Sequence, residues 1–166
     1  AYAGSGTMNT YINTAGYLPL SQPYTGSTWN YAGTEQLSSI PANMVDWVML
    51  ELRDQQNTVL GRRAAILTTN GSVLDTNLNT TVTFPGISHG NYYLVIDHRN
   101  HLPVMSGSAI SLPNTTAWDF SDTLNFQPIG GGRLALWDLG NNVFGMIVGD
   151  INKDGTIKYS GPGNDR

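Results

Sequence analysis

The chain contains no cysteine, so disulfide bonds and thiol chemistry are excluded. Charge is also scarce: 12% of the 166 residues are charged, the two lysines are Lys153 and Lys158, and the net charge is -4. This balance argues against a nucleic-acid-binding protein, which needs a basic face. The apolar runs are far shorter than the ~20 residues that a membrane helix needs. We therefore expect neither a nucleic-acid partner nor a membrane span.

Turn-forming residues, by contrast, are abundant. The chain has 19 glycines and 8 prolines, together with many Asn and Thr residues, and no stretch of about ten residues shows a convincing helical period. Turn signals at short intervals are typical of sandwiches built from short strands. The sequence predicts one all-β domain, an antiparallel β-sandwich of immunoglobulin-like or transthyretin-like type.

Two segments carry the clearest strand patterns. Residues 45–53 are apolar on both alternating faces, which is typical of a central strand covered on both sides. A second strand over 62–68 runs into Asn70-Gly71 and returns through Val73-Leu74, and Asn-Gly is the strongest short hairpin signal. Further strand patterns occur at residues 81–84, 90–99, 102–105, 109–112, 134–137 and 143–148.

The N-terminal residues 1–44 lack a clear pattern of elements, although they are rich in aromatic residues. One interpretation is a long arm that packs its aromatic rings onto its own sheet or onto a neighbouring sheet. The other is an aromatic platform that stacks against sugars. The candidate stacking residues in the whole chain are Trp29, Trp118 and Trp137.

The last residues carry the most specific motif. Asp150, Asn152 and Asp154 stand at alternate positions and Gly155 follows, which is the D-x-N-x-D-G opening of an EF-hand calcium loop. Thr156, at the seventh position, would add its backbone carbonyl. Oxygen donors at this spacing suit Ca²⁺ rather than a transition metal.

The end of the loop departs from the EF-hand pattern. Position 12, where an EF-hand has a bidentate Glu, is Gly161, so we expect Asp165 to be the closing ligand of an enlarged loop without its following helix. The alternative is a surface turn rich in Gly and Asp that binds no metal. The chain is thus divided into an arm (1–44), a sandwich (45–148) and a calcium loop (149–166).

Candidate catalytic groups are few. His98 and His101 form an i, i+3 pair that could bind a metal or transfer protons, although polar residues at a strand end more often hold a turn through hydrogen bonds. No G-x-S-x-G motif, phosphate loop or marked carboxylate pair is present. We therefore expect a protein that is not an enzyme.

Several motifs together resemble a known type of module. It is the β-sandwich found near the C-termini of large secreted and cell-surface proteins of Bacteroidetes-type bacteria, which ends in a dockerin-like calcium motif. The resemblance is carried by residues 45–48, 50–53, 90–93, 98–102, 149–155, 158–161 and 164–166. It implies an extracellular protein and Ca²⁺ at Asp150, Asn152, Asp154, Thr156 and Asp165.

The resemblance also suggests a role. Such modules usually begin with a further apolar strand and continue beyond the Asn-Asp-Arg end into a helix, and neither is present in this sequence. A sandwich without an edge strand can accept a strand from a neighbour. We expect a structural or adhesive module that assembles with itself or with a neighbouring module in a surface filament or matrix. The alternative is a carbohydrate-binding accessory module of a larger secreted protein, with glycans as its partners.

Overall fold

The computed structural model describes residues 2–4, 6–128, 136–141, 143–149, 158 and 160–162. Within these residues the protein consists mostly of antiparallel β-strands, which confirms the predicted all-β class, and its one helix has four residues. The elements are α1 (Tyr11–Thr14), β1 (Met44–Arg53), β2 (Val59–Thr68), β3 (Val73–Leu74), β4 (Gly90–His98), β5 (His101–Met105), β6 (Ile110–Leu112), β7 (Leu136–Asp138) and β8 (Phe144–Met146).

The chain divides into two compact units. The first comprises Ala1–Leu50 and Arg62–Gly86, and the second comprises Glu51–Gly61 and Ile87–Arg166. The long strands β1 and β2 therefore each contribute residues to both units.

The first unit contains the predicted hairpin. β2 pairs antiparallel with β3 through Ile66 opposite Leu74 and Leu67 opposite Val73. The Gly71 amide donates to the Thr68 carbonyl, and Gly71 has a φ of +85°, a conformation that glycine adopts without steric cost. The Asn-Gly turn thus forms where the local sequence predicts it.

The core of the first unit lies between the sheet and the N-terminal segment. The segment contributes the buried side chains of Leu18, Tyr24 and Leu37, which cluster with strand residues that include Trp47. Two hydrogen bonds fix this packing: the Tyr24 hydroxyl donates to the Trp47 carbonyl at 2.9 Å, and the Trp47 indole Nε1 donates to the Pro19 carbonyl at 2.9 Å. Each large aromatic ring thus buries its polar atom with a partner.

The second unit is organised around β4. β5 pairs with its C-terminal half (Val95 opposite Met105), and β6 pairs with its first residues (Gly90 opposite Leu112). Between β5 and β6, the Ser106 hydroxyl accepts a hydrogen bond from the Leu94 amide at 3.0 Å. A small core of Val104, Phe126 and Leu136 packs beside this sheet.

Candidate calcium loop and its anchor

The five predicted calcium ligands, Asp150, Asn152, Asp154, Thr156 and Asp165, lie outside the described residues. Gly149, the residue directly before the first predicted ligand, is described, and so are residues 158 and 160–162 within the predicted loop region.

The segment that leads into this loop is held against the start of β5. The Leu102 amide donates to the Ile147 carbonyl at 2.9 Å, and the Gly149 amide donates to the Asn100 carbonyl at 3.0 Å. Between these two bonds, His101 and Val148 form an antiparallel bridge. The chain therefore enters the predicted loop from a paired segment, with the Gly149 amide already hydrogen-bonded.

The two histidines at this anchor are hydrogen-bonded to each other. The Nδ1 atoms of His98 and His101 are 2.8 Å apart, and their rings meet edge to face with centroids 4.6 Å apart. The Asn100 amide donates to His98 Nδ1 at 3.2 Å, which makes that nitrogen an acceptor and assigns the shared proton to His101 Nδ1. The pair thus uses its Nδ1 atoms to hold the turn between β4 and β5, as polar residues at a strand end commonly do.

Among the residues that the structure describes, no group of three or more His, Cys, Asp or Glu side chains is placed to hold a metal ion. Many of the described acidic side chains have structural partners instead. Glu51 accepts from Arg53, Asp54 accepts from the Gln56 and Thr58 amides, and Asp122 accepts from the Leu124 amide.

The three predicted stacking tryptophans differ in exposure. Trp29 is half-buried and meets the Tyr24 ring edge to face at 5.3 Å, and it packs against the core of the first unit. Trp118 is half-buried and donates from Nε1 to the Asn125 carbonyl at 3.0 Å. Trp137, on β7, is 66% exposed. Of the three rings, Trp137 is the one with most of its surface accessible to a ligand.

The sequence patterns did not identify a buried charged cluster in the first unit. Arg63, on β2, bridges two buried acids: its Nη2 lies 2.7 Å from Asp75 Oδ1 and its Nη1 lies 3.3 Å from Glu35 Oε1. The Tyr31 hydroxyl donates to the same Glu35 oxygen. The available signal was a pair of arginines, Arg62-Arg63, inside an otherwise apolar strand, but its acidic partners lie far away in the sequence.

The pKa values in this cluster follow from burial and hydrogen bonding. Burial of the Tyr31 hydroxyl beside the Glu35 carboxylate raises the pKa of Tyr31 far above its usual range, so Tyr31 stays a neutral donor. Burial alone would raise the pKa of Asp75, but hydrogen bonds from Arg63 and from the Thr83 and Thr76 amides lower it below its ordinary value. Asp75 therefore remains ionised and ties the loop after β3 to β2.

In comparisons with known proteins, the chain matches no family model, no curated protein and no solved structure at a significant level. No helix in the described part of the chain has the length and apolar character needed to cross a membrane.

Proposed function

We propose that this protein is a secreted, non-enzymatic structural or adhesive module stabilised by calcium, and that it assembles with copies of itself at the cell surface. The observation that carries the proposal is the D-x-N-x-D-G motif that begins at Asp150, directly after the Gly149 amide hydrogen bond to Asn100. A loop that starts from a fixed strand loses less conformational entropy when its oxygen ligands close around an ion. Calcium would in turn hold the C-terminal segment against β5.

The sandwich architecture belongs to this proposal. β1 has ten residues, and nine consecutive side chains, from Met44 to Leu52, are buried. Because successive side chains of a strand point to opposite faces, this pattern means that β1 is covered on both faces. The N-terminal segment packs on the face of β1 that carries Trp47 and Met49, and we propose that a second layer covers the opposite face.

The non-enzymatic role is supported by how the described acids are used. Glu35 and Asp75 are bound to Arg63, Glu51 is bound to Arg53, and Asp119 accepts from the Ser121 amide. Carboxylates engaged in ion pairs and turns stabilise the fold rather than present a reactive pair to a substrate.

Self-assembly by strand addition has a candidate edge. β3 pairs with only two of the ten residues of β2, at Ile66 and Leu67. A long strand with such a short neighbour is a place where a strand from a second copy can add, because backbone groups supply the affinity. Further along β2 the Tyr31 hydroxyl already donates to the Arg62 carbonyl at 3.2 Å. We therefore propose the start of β2, around the exposed Leu60, as that place.

Calcium titration by isothermal calorimetry tests the calcium part of the proposal. We expect the wild type to bind calcium and to gain about 2.7 kcal/mol in its free energy of unfolding at a calcium concentration of ~100 Kd. Replacing two predicted ligands together (Asp150→Ala with Asp154→Ala) should abolish both effects. Asp138→Asn is the control, because among the described residues the Asp138 side chain accepts from the Gly140 amide, in a turn outside the loop. Wild-type protein that shows neither heat nor stabilisation would contradict the proposal.

The exposure of Trp137 supports a second candidate, a carbohydrate-binding accessory module. A ring that is 66% exposed on a strand can stack against a sugar. Quenching of tryptophan fluorescence by oligosaccharides, lost in Trp137→Phe, would favour this candidate. Fluorescence that does not respond to sugar would count against it.

A further inference from the structure

A second candidate surface lies on the N-terminal segment of the first unit. Tyr11 and Tyr17 are 74% and 76% exposed, and Ile12 and Leu20 beside them in the sequence are also exposed. We call these four side chains the tyrosine surface.

The backbone beneath the tyrosine surface is fixed. The Asn13 side-chain amide, in the middle of α1, donates to the carbonyls of Pro41 at 2.8 Å and Met44 at 2.9 Å. Asn13 therefore anchors this short helix to the start of β1, while Tyr11 is exposed to solvent.

Tyr17 is held equally firmly. Its amide donates to the Ile12 carbonyl at 3.0 Å, and the preceding Gly16 donates to the Asn13 carbonyl at 2.8 Å. The next residue, Leu18, is buried in the core. Rings on an ordered backbone lose little further entropy when they bind a ligand, so this surface is preorganised.

The chain segment that carries the tyrosine surface has no charged side chain and no histidine. The first charged residue of the chain is Glu35, and residues 1–34 contain no Asp, Glu, Lys, Arg or His. The exposed polar neighbours, such as Asn9, Thr14 and Ser21, carry amides and hydroxyls. An uncharged ligand rich in hydroxyl groups matches this chemistry, because tyrosine rings stack on its C–H faces while amides and hydroxyls exchange hydrogen bonds with it.

The two tyrosine rings offer a small area compared with a protein interface. A fully buried tyrosine removes ~150–250 Å² from water, so two rings that are about three-quarters exposed offer roughly 300 Å². A specific protein interface buries about 800 Å² on each partner. The size of the surface thus favours a few sugar rings over a second copy of the chain.

We propose that the tyrosine surface binds a neutral oligosaccharide, with Tyr11 and Tyr17 as its stacking residues. This function goes beyond calcium-stabilised assembly and requires neither calcium nor a second copy.

Native affinity electrophoresis in gels that contain soluble polysaccharides tests the proposal. The neutral probes are hydroxyethyl cellulose, arabinoxylan, galactomannan and mixed-linkage β-glucan, and the anionic probe is polygalacturonate. We expect at least one neutral polysaccharide to retard the wild type. Tyr11→Ala and Tyr17→Ala should each weaken binding about fivefold or more, as truncation of a binding hot spot does, and the double variant should not be retarded.

Leu124→Ala provides a matched control, because Leu124 is an exposed apolar side chain in the second unit. It should bind like the wild type, and circular dichroism should show that all variants are folded. Three results would overturn the proposal: no retardation by any neutral polysaccharide, retardation unchanged in the double variant, or loss of binding in Trp137→Ala alone. Light scattering of the double variant distinguishes sugar binding from self-assembly. A double variant that fails to assemble would show that the tyrosines bind another copy of the chain.

Discussion

Asp75→Asn should destabilise the protein strongly, although it changes the side chain by a single atom. Asp75 is 2% exposed and accepts from Arg63 Nη2 at 2.7 Å, from the Thr76 amide at 2.7 Å and from the Thr83 amide at 3.2 Å. An asparagine cannot neutralise Arg63. If its carbonyl oxygen stays toward Arg63 and the Thr76 amide, its NH₂ group faces the Thr83 amide and cannot accept the hydrogen bond that Asp75 Oδ2 accepts.

The magnitude follows from the burial of the pair. Breaking a fully buried ion pair by removing one partner costs 3–5 kcal/mol, but the Arg63 side chain is 22% exposed and water screens it in part. We therefore expect Asp75→Asn to lower the free energy of unfolding by about 2–4 kcal/mol at pH 7. Urea denaturation followed by tryptophan fluorescence measures this loss, with Asp122→Asn as the control because Asp122 only caps an exposed turn.

The pH dependence provides a second, independent readout. The pKa of Asp75 is lower in the folded protein than in the unfolded chain. Its contribution to stability is therefore fully present above the unfolded value, near pH 4, and is lost as the pH falls through the lower folded pKa. The difference in stability between wild type and Asp75→Asn should shrink over that acidic range. The reasoning is refuted if Asp75→Asn costs no more than Asp122→Asn, or if the difference does not depend on pH below ~4.

Two further substitutions test the packing of the N-terminal segment. Gly33→Ala would place a Cβ atom about 2.2 Å from the Tyr31 ring and 2.3 Å from Glu35 Oε2, so we expect a loss of about 1–3 kcal/mol, measured as a lower Tm. An unchanged Tm would contradict this contact. Asn13→Ala removes the side-chain hydrogen bonds to the carbonyls of Pro41, Ala42 and Met44 that anchor α1, and should cost about 1–2 kcal/mol. Proteolysis within residues 9–20 should become faster in this variant, and equal cleavage rates would argue against the anchor.

The sequence predicts those parts of the fold that depend on local chemistry. The Asn70-Gly71 hairpin forms because the turn itself specifies it, and the doubly apolar 45–53 stretch becomes the buried strand β1. Residues 81–84 alternate like a strand but do not form one. There the Thr83 amide and hydroxyl donate to the Asp75 carboxylate, so a side chain, and not a neighbouring strand, accepts the hydrogen bond of this amide.

The sequence patterns could not identify side chains that contact each other from distant positions in the chain. Arg63 contacts Glu35, which lies 28 residues away, and no periodicity encodes that distance. Composition also could not predict that Trp137 is exposed whereas Trp29 is half-buried. For the calcium loop, the prediction still rests on the spacing of Asp150, Asn152 and Asp154 and on the paired segment that precedes them.

The most direct test of a calcium-stabilised, self-assembling module is the size of the purified protein with calcium and then with EGTA, measured by light scattering and negative-stain microscopy. The account predicts ordered polymers in calcium that dissolve in EGTA. A monodisperse monomer in both conditions would contradict self-assembly.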